Sequence, residues 1–165
     1  MISKAEKSQN STEGTAKQRA LRMLDKRDYA CLELLEKLVE KGESREEAEA
    51  AVARLTELGF LNDRRYAGLV ARHYAAKGCG RKRIESELFR RRVPRELWDE
   101  ALEEVPPSDD VLDTLLRNRL RGASPYDRTA LKRATDALQR RGFSWDEIHS
   151  AVERCKQDYN EEQEY

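Results

Sequence analysis

Apolar residues in this chain recur at the three- and four-residue spacing of amphipathic helices. Leu34 and Leu38 lead up to Gly42, and Ala48, Val52 and Leu55 follow it. Ile84 and Leu88 lead up to Arg92, with Trp98, Leu102 and Val105 beyond. Ala134 and Leu138 lead up to Gly142, with Ile148, Val152 and Cys155 beyond. This spacing lines apolar side chains along one stripe of a helix, whereas a strand would need strict alternation, and no convincing stretch has it. The expected class is all-α. The blocks at Gly42 and Gly142 coincide position for position 100 residues apart, and both carry Gly-x-Ser-x-x-Glu as Gly42, Ser44, Glu47 and Gly142, Ser144, Glu147. In physical terms this is a helix, a glycine stop, a capping box and a second helix. Arg92 lies halfway between the two glycines with the same apolar offsets around it, giving an internal repeat of about 50 residues with arginine in the glycine place. Pro94 replaces the capping serine there and suits the first position of a helix.

Each repeat has a further helix in front: Ala16, Ala20 and Leu24 in the first, Tyr66, Val70 and Tyr74 in the second, Leu112, Leu116 and Leu120 in the third. Turn signals at Asn62-Asp63, Gly78-Cys79-Gly80, Pro106-Pro107-Ser108 and Gly122 to Pro125 separate these elements. The pattern predicts three tandem three-helix repeats over 16–58, 59–105 and 106–159. A disordered tail is expected over 1–15, which has almost nothing apolar to bury, and an acidic tail over 160–165.

Composition narrows the function. With 165 residues and 39% of them charged, there is little apolar material for one thick core, which suits thin stacked units. Lysine plus arginine equals aspartate plus glutamate, 32 of each, so the total gives no sign of a uniformly basic nucleic-acid binder. The distribution is uneven. Between Arg64 and Arg95 eleven basic residues face only Glu85 and Glu87, and the third repeat adds Arg117, Arg119, Arg121, Arg128, Lys132, Arg133, Arg140 and Arg141. The compensating acid loads the first repeat, from Glu33 to Glu57, and the terminus. Arg81, Lys82, Arg83, Arg90, Arg91, Arg92, Arg133, Arg140 and Arg141 are therefore the candidate binding residues for phosphates or an acidic protein surface, since guanidinium groups pair bidentately with both. Solvation of an ordinary helix face is the competing account of each.

Other residue types add little chemistry. Trp98 shares its repeat offset with Ala48 and Ile148 and should pack in a core, whereas Trp145, beside a cap, is divided between packing and stacking on a base. Tyr66, Leu69, Val70 and Tyr74 form a stripe expected to be core. His73 and His149 have no cysteine or carboxylate cluster at ligand spacing, so neither a metal nor any other cofactor is expected. Cys31, Cys79 and Cys155 are too scattered for a disulfide framework or zinc knuckle. Cys31 and Cys155 fall on apolar stripes as buried thiols, and Cys79 lies in a turn. No nucleophile–base pair or phosphate-binding loop is present, so the chain is not expected to be an enzyme. It lacks a membrane span and a secretory signal, and a monomeric cytoplasmic protein is expected.

The stretch Gly59-Phe-Leu-Asn-Asp-Arg-Arg-Tyr-Ala-Gly-Leu-Val-Ala-Arg, followed by Lys77-Gly-Cys-Gly-Arg-Lys-Arg-Ile-Glu-Ser-Glu-Leu, resembles the central signature of the RecX family. Glu33-Leu-Leu-Glu-Lys-Leu-Val-Glu-Lys-Gly resembles the family's first-repeat pattern, and Leu138-Gln-Arg-Arg-Gly-Phe-Ser-Trp-Asp-Glu-Ile its last. The chain departs from the family at Arg91-Arg92-Val93-Pro94, where a Lys-Gly turn is usual, which puts that turn's geometry in question. The resemblance implies an elongated, curved stack of the three-helix repeats. It also implies a regulator that binds the RecA protein and the RecA–DNA filament and mostly inhibits recombinase, ATPase and coprotease activities; direct contact with DNA is left open. A helix-turn-helix-like DNA-binding protein is the alternative, distinguished by sequence preference in a DNA competition assay.

Overall fold

The computed structural model describes residues 15–164; the tail expected over 1–15 lies almost wholly outside them. The described residues are helical throughout, with no strand. Helix α1 is seen over 15–24, followed by α2 (Cys31–Glu40) and α3 (Arg45–Glu57). Next come α4 (Asp63–Ala76), α5 (Arg81–Arg90), a 3₁₀ turn (Arg95–Leu97) and α6 (Trp98–Glu103). Helices α7 (Asp109–Leu120), α8 (Arg128–Arg140) and α9 (Trp145–Gln163) complete the chain. Periodicity set the last helix to end at Tyr159. It continues to Gln163, because a solvated helical turn needs no apolar stripe once the preceding turns are fixed.

The internal repeat is reproduced in hydrogen bonds. Residues 42, 92 and 142 all take the left-handed conformation, with φ of 97°, 57° and 92°. The next amide reaches back over the same span each time: Glu43 donates to the Leu38 carbonyl at 3.1 Å, Val93 to Leu88 at 3.1 Å, and Phe143 to Leu138 at 3.3 Å. Gly42, Arg92 and Gly142 donate to the carbonyls of Val39, Phe89 and Gln139. This paired pattern is the Schellman motif, and it settles the turn at Arg92: arginine accepts the strained φ and the geometry of the two glycine turns is kept. Leu38, Leu88 and Leu138 are all fully buried, as are Leu34, Ile84 and Ala134 one turn earlier.

The closing helices differ in how they start. Ser44 and Ser144 each form a complete capping box with Glu47 and Glu147. Pro94 does not occupy the first helical position; it precedes a 3₁₀ turn with no side-chain cap, and only six α-helical residues follow. There the buried indole of Trp98 donates from Nε1 to the Val93 carbonyl at 3.0 Å, tying the helix to the preceding turn.

The chain separates into two compact units, and the division runs through the middle repeat. One unit comprises the described residues up to Leu69 together with Leu88–Asp99; the other comprises Val70–Glu87 and the chain from Glu100 onward. The first is built on Ala16, Ala20, Leu34, Leu38, Ala48 and Leu55. The second is built on Leu112, Leu116, Leu138, Phe143, Ile148 and Ala151. Leu69, expected in the core stripe with Tyr66 and Val70, is 41% exposed, because it sits on the flank of that stripe.

Candidate partner-binding faces

The structure distributes the candidate cations over both units. In the first unit, Arg92 Nε meets Glu36 Oε2 on α2 at 3.0 Å, both side chains remaining well exposed. Arg91 is half-buried and hydrogen-bonds Tyr66; burial pushes the Tyr66 phenol up, and Arg91 opposes that shift. Arg90 is exposed at the end of α5. Thus Arg91 and Arg92 help hold their own unit together.

In the second unit the main chain joins the start of α5 to the Schellman turn after α8. The Gly80 amide donates to the Arg141 carbonyl at 2.9 Å, and the Lys82 amide to the Gly142 carbonyl at 3.1 Å. The Arg141 guanidinium completes the junction, donating from Nη1 to the carbonyls of Lys77 at 3.0 Å and Gly78 at 3.2 Å. The approach is so close that a Cβ on Gly80 would lie 2.5 Å from the Phe143 nitrogen, and one on Gly142 would lie 2.4 Å from the Arg83 nitrogen. The cationic first turn of α5 and the cationic end of α8 are therefore brought together by backbone atoms.

Within that junction the candidates play different parts. Arg81 bridges to Glu85 at 2.8 Å and Arg83 to Glu87 at 3.1 Å, each one helical turn on. Glu87 is only 3% exposed, so the Arg83 bridge compensates a buried carboxylate and serves the fold. Arg141 is consumed as a clamp. Lys82, Arg133 and Arg140 are exposed and have no ion pair among the described residues. The first turn of α5 has no acidic residue, so three cations sit against the positive end of the helix dipole, an arrangement that costs stability and concentrates positive potential. The amides of Gly80 and Lys82 are already used on carbonyls, so an anion would have to be met by side chains.

The remaining polar chemistry is structural. Arg154 grips Asp113 with Nε at 2.9 Å and Nη2 at 2.7 Å, and Arg117 pairs with Asp158, fastening α9 to α7. All three cysteines are half-buried rather than fully buried, and burial pushes the Cys31 and Cys155 thiols up. Among the described residues no group of metal-ligating side chains is assembled and no helix is long and apolar enough to cross a membrane. Sequence reasoning counted Arg128 and Lys132 in the basic excess but left them out of the candidate binding residues; both are exposed on α8, and their i, i+4 spacing was the available signal.

Fold and surface together define a tandem three-helix-repeat protein whose polar chemistry is carried by arginine-rich helix faces. Residues 16–55 match the model of the first three-helix domain of RecX, and residues 62–102 that of the second. The chain belongs to the RecX family. It is 41% identical over 141 residues to regulatory protein RecX of Trichlorobacter lovleyi, covering 82% of this chain and 92% of that one. To regulatory protein RecX of Stenotrophomonas maltophilia it is 37% identical, covering 85% and 86%. The crystal structure of RecX from Lactobacillus salivarius shares the fold, with a TM-score of 0.80 at 19% identity over 88% of this chain and 97% of that one.

Proposed function

We propose that this protein binds a RecA-type recombinase and its filament on DNA, and restrains recombinase, ATPase and coprotease activity. Its relatives are named as regulatory proteins, and a regulator of this architecture acts through surface. The observation that carries the reading is the junction in the second unit, where Lys82 and Arg140 stay exposed, with no ion pair among the described residues, beside a joint of backbone hydrogen bonds and the Arg141 clamp. A polymer of protein on DNA offers acidic and phosphate surface at regular intervals, so several weak contacts along it would sum to avidity. Held in one conformation by such contacts, a filament neither extends nor exchanges strands.

The test is a strand-exchange and ATPase assay with RecA, the protein being added below stoichiometry. The wild type should inhibit. Changing Lys82, Arg133 and Arg140 to Glu removes cations that have no ion pair to lose, leaving Arg83 to neutralise Glu87 and Arg141 to hold its clamp. Filament affinity should fall tenfold or more, on the order of 1.4 kcal/mol at least, and its salt dependence should flatten, because each lost phosphate contact removes about one counterion from the slope. A folded triple variant that inhibits as well as the parent defeats the basic-face mechanism.

A further inference from the structure

Trp145, the first residue of α9, is 58% exposed, while Trp98 is 9% exposed. The internal repeat shows why this is not displaced core. The equivalent positions are Arg45, exposed and paired to Glu49, and Arg95, exposed and lying over the Trp98 ring. The fold thus assigns this place to a solvent-facing side chain, and two repeats fill it with a cation. The third fills it with an indole that the packing does not require.

The surroundings suit a particular ligand. Trp145 borders a groove of about 460 Å³ between α8 and α9, floored by Leu131, Ile148 and Val152 and edged by Arg128 and Lys132. The two carboxylates at its edge are each tied to a lysine, Asp136 to Lys132 and Glu153 to Lys156, so they present neutral pairs. Arg128 has no ion pair among the described residues. Beyond the groove, the outer face of α8 carries Arg133 and Arg140, while its inner face buries Ala134, Ala137 and Leu138. The result is a cationic helix edge beside an apolar groove bordered by an exposed aromatic residue.

We infer that this groove is a single-stranded nucleic-acid site, in which Trp145 stacks on an unpaired base and Arg128, Arg133 and Arg140 follow the phosphates. An apolar slot alone would suit a protein side chain equally. The cations on the exposed side of α8, Arg128 at the groove and Arg133 and Arg140 farther round the helix, favour a polyanion, and a flat ring in the open favours a base face, which every nucleotide has. The inference deepens the proposed function by giving one repeat direct contact with the strand that a filament holds.

The test titrates the full chain with a short oligothymidylate and with an abasic deoxyribose-phosphate strand of equal length, reading both fluorescence anisotropy of the labelled strand and intrinsic indole emission. Because Trp98 is buried, quenching reports Trp145. The oligothymidylate should quench and the abasic strand should not. Trp145→Ala should weaken oligothymidylate binding about tenfold and leave abasic binding unchanged, and Trp145→Phe should restore part of the loss. Circular dichroism should show both variants folded, since Trp145 is 58% exposed. Equal quenching by both strands, or Trp145→Ala binding oligothymidylate like the parent, overturns the site. So does a variant that keeps its affinity for the strand and loses it only for RecA protein, which assigns the groove to a protein partner. RecA inhibition measured in parallel separates the two readings: unchanged inhibition by Trp145→Ala with unchanged strand binding removes this site and leaves the regulatory function standing.

Discussion

At the scale of single residues, three glycines separate two effects usually found together. Gly42 has a left-handed φ and nothing within 4 Å of where a Cβ would stand, so Gly42→Ala adds backbone strain alone, about 1–2 kcal/mol. Gly80 has no left-handed φ, yet its Cβ would strike main-chain atoms of Gly142 and Phe143 at 2.5–2.6 Å. Gly142 combines a left-handed φ with a collision against Arg83. Urea midpoints should therefore fall least for Gly42→Ala, further for Gly80→Ala, and furthest for Gly142→Ala. If Gly80→Ala proved as mild as Gly42→Ala, the main-chain junction in the second unit would be wrong. Arg92 is informative from the other side, since it holds φ at 57° with a full side chain and uses that side chain to reach Glu36.

At the scale of elements, the same Schellman turn is followed by closing helices of unequal strength. Ser44 and Ser144 start α3 and α9 with capping boxes, whereas the middle repeat relies on Trp98 Nε1 holding the Val93 carbonyl. Trp98→Phe keeps most of the apolar ring and strands that carbonyl in a buried place, so the loss should be about 1–3 kcal/mol. A thermal melt of the variant checks it, and a melt unchanged from the parent would show that the indole bond contributes nothing. Much at this scale was legible in the chain. Gly-x-Ser-x-x-Glu names its own hydrogen bonds, and Leu38, Leu88 and Leu138 declare their burial by spacing, because both are local. Other features rest on which element packs against which, and spacing does not carry that. Leu69 lies on the flank of its stripe, Glu87 is buried under Arg83, and Arg141 turns inward as a clamp. Among the candidate cations, the chain located the basic stretches but could not separate Lys82, Arg133 and Arg140, which remain available, from Arg83, Arg91 and Arg141, which are employed in the fold.

At the scale of the whole molecule, sequence period and compactness divide the chain differently. The period suggests a boundary near Val105, but the compact units part within the middle repeat, and residues 70–87 belong with the chain beyond Glu100. A chain ending at Val105 should therefore not keep the first two repeats intact. The amides of Gly80 and Lys82 lose their acceptors on Arg141 and Gly142, and Arg141 no longer ties down Lys77 and Gly78. Hydrogen exchange should show those amides protected in the full chain and fast in the shortened one, while Leu38 and Leu55 stay as slow as before. Protection persisting at Gly80 and Lys82 after truncation would contradict the division.

The junction also bears on how such a chain can change over generations. A joint made from side chains must be repaired by matched replacement whenever one partner mutates. Here, the Arg141 clamp apart, the partners are carbonyls and amides that every residue but proline possesses, so neighbouring positions are at liberty to drift while the joint persists. The exception is the pair Gly80 and Gly142, where any added carbon intrudes. The vulnerability of the joint's main chain to inherited change is thus gathered into two hydrogen atoms, one on each glycine, where every other residue carries its side chain.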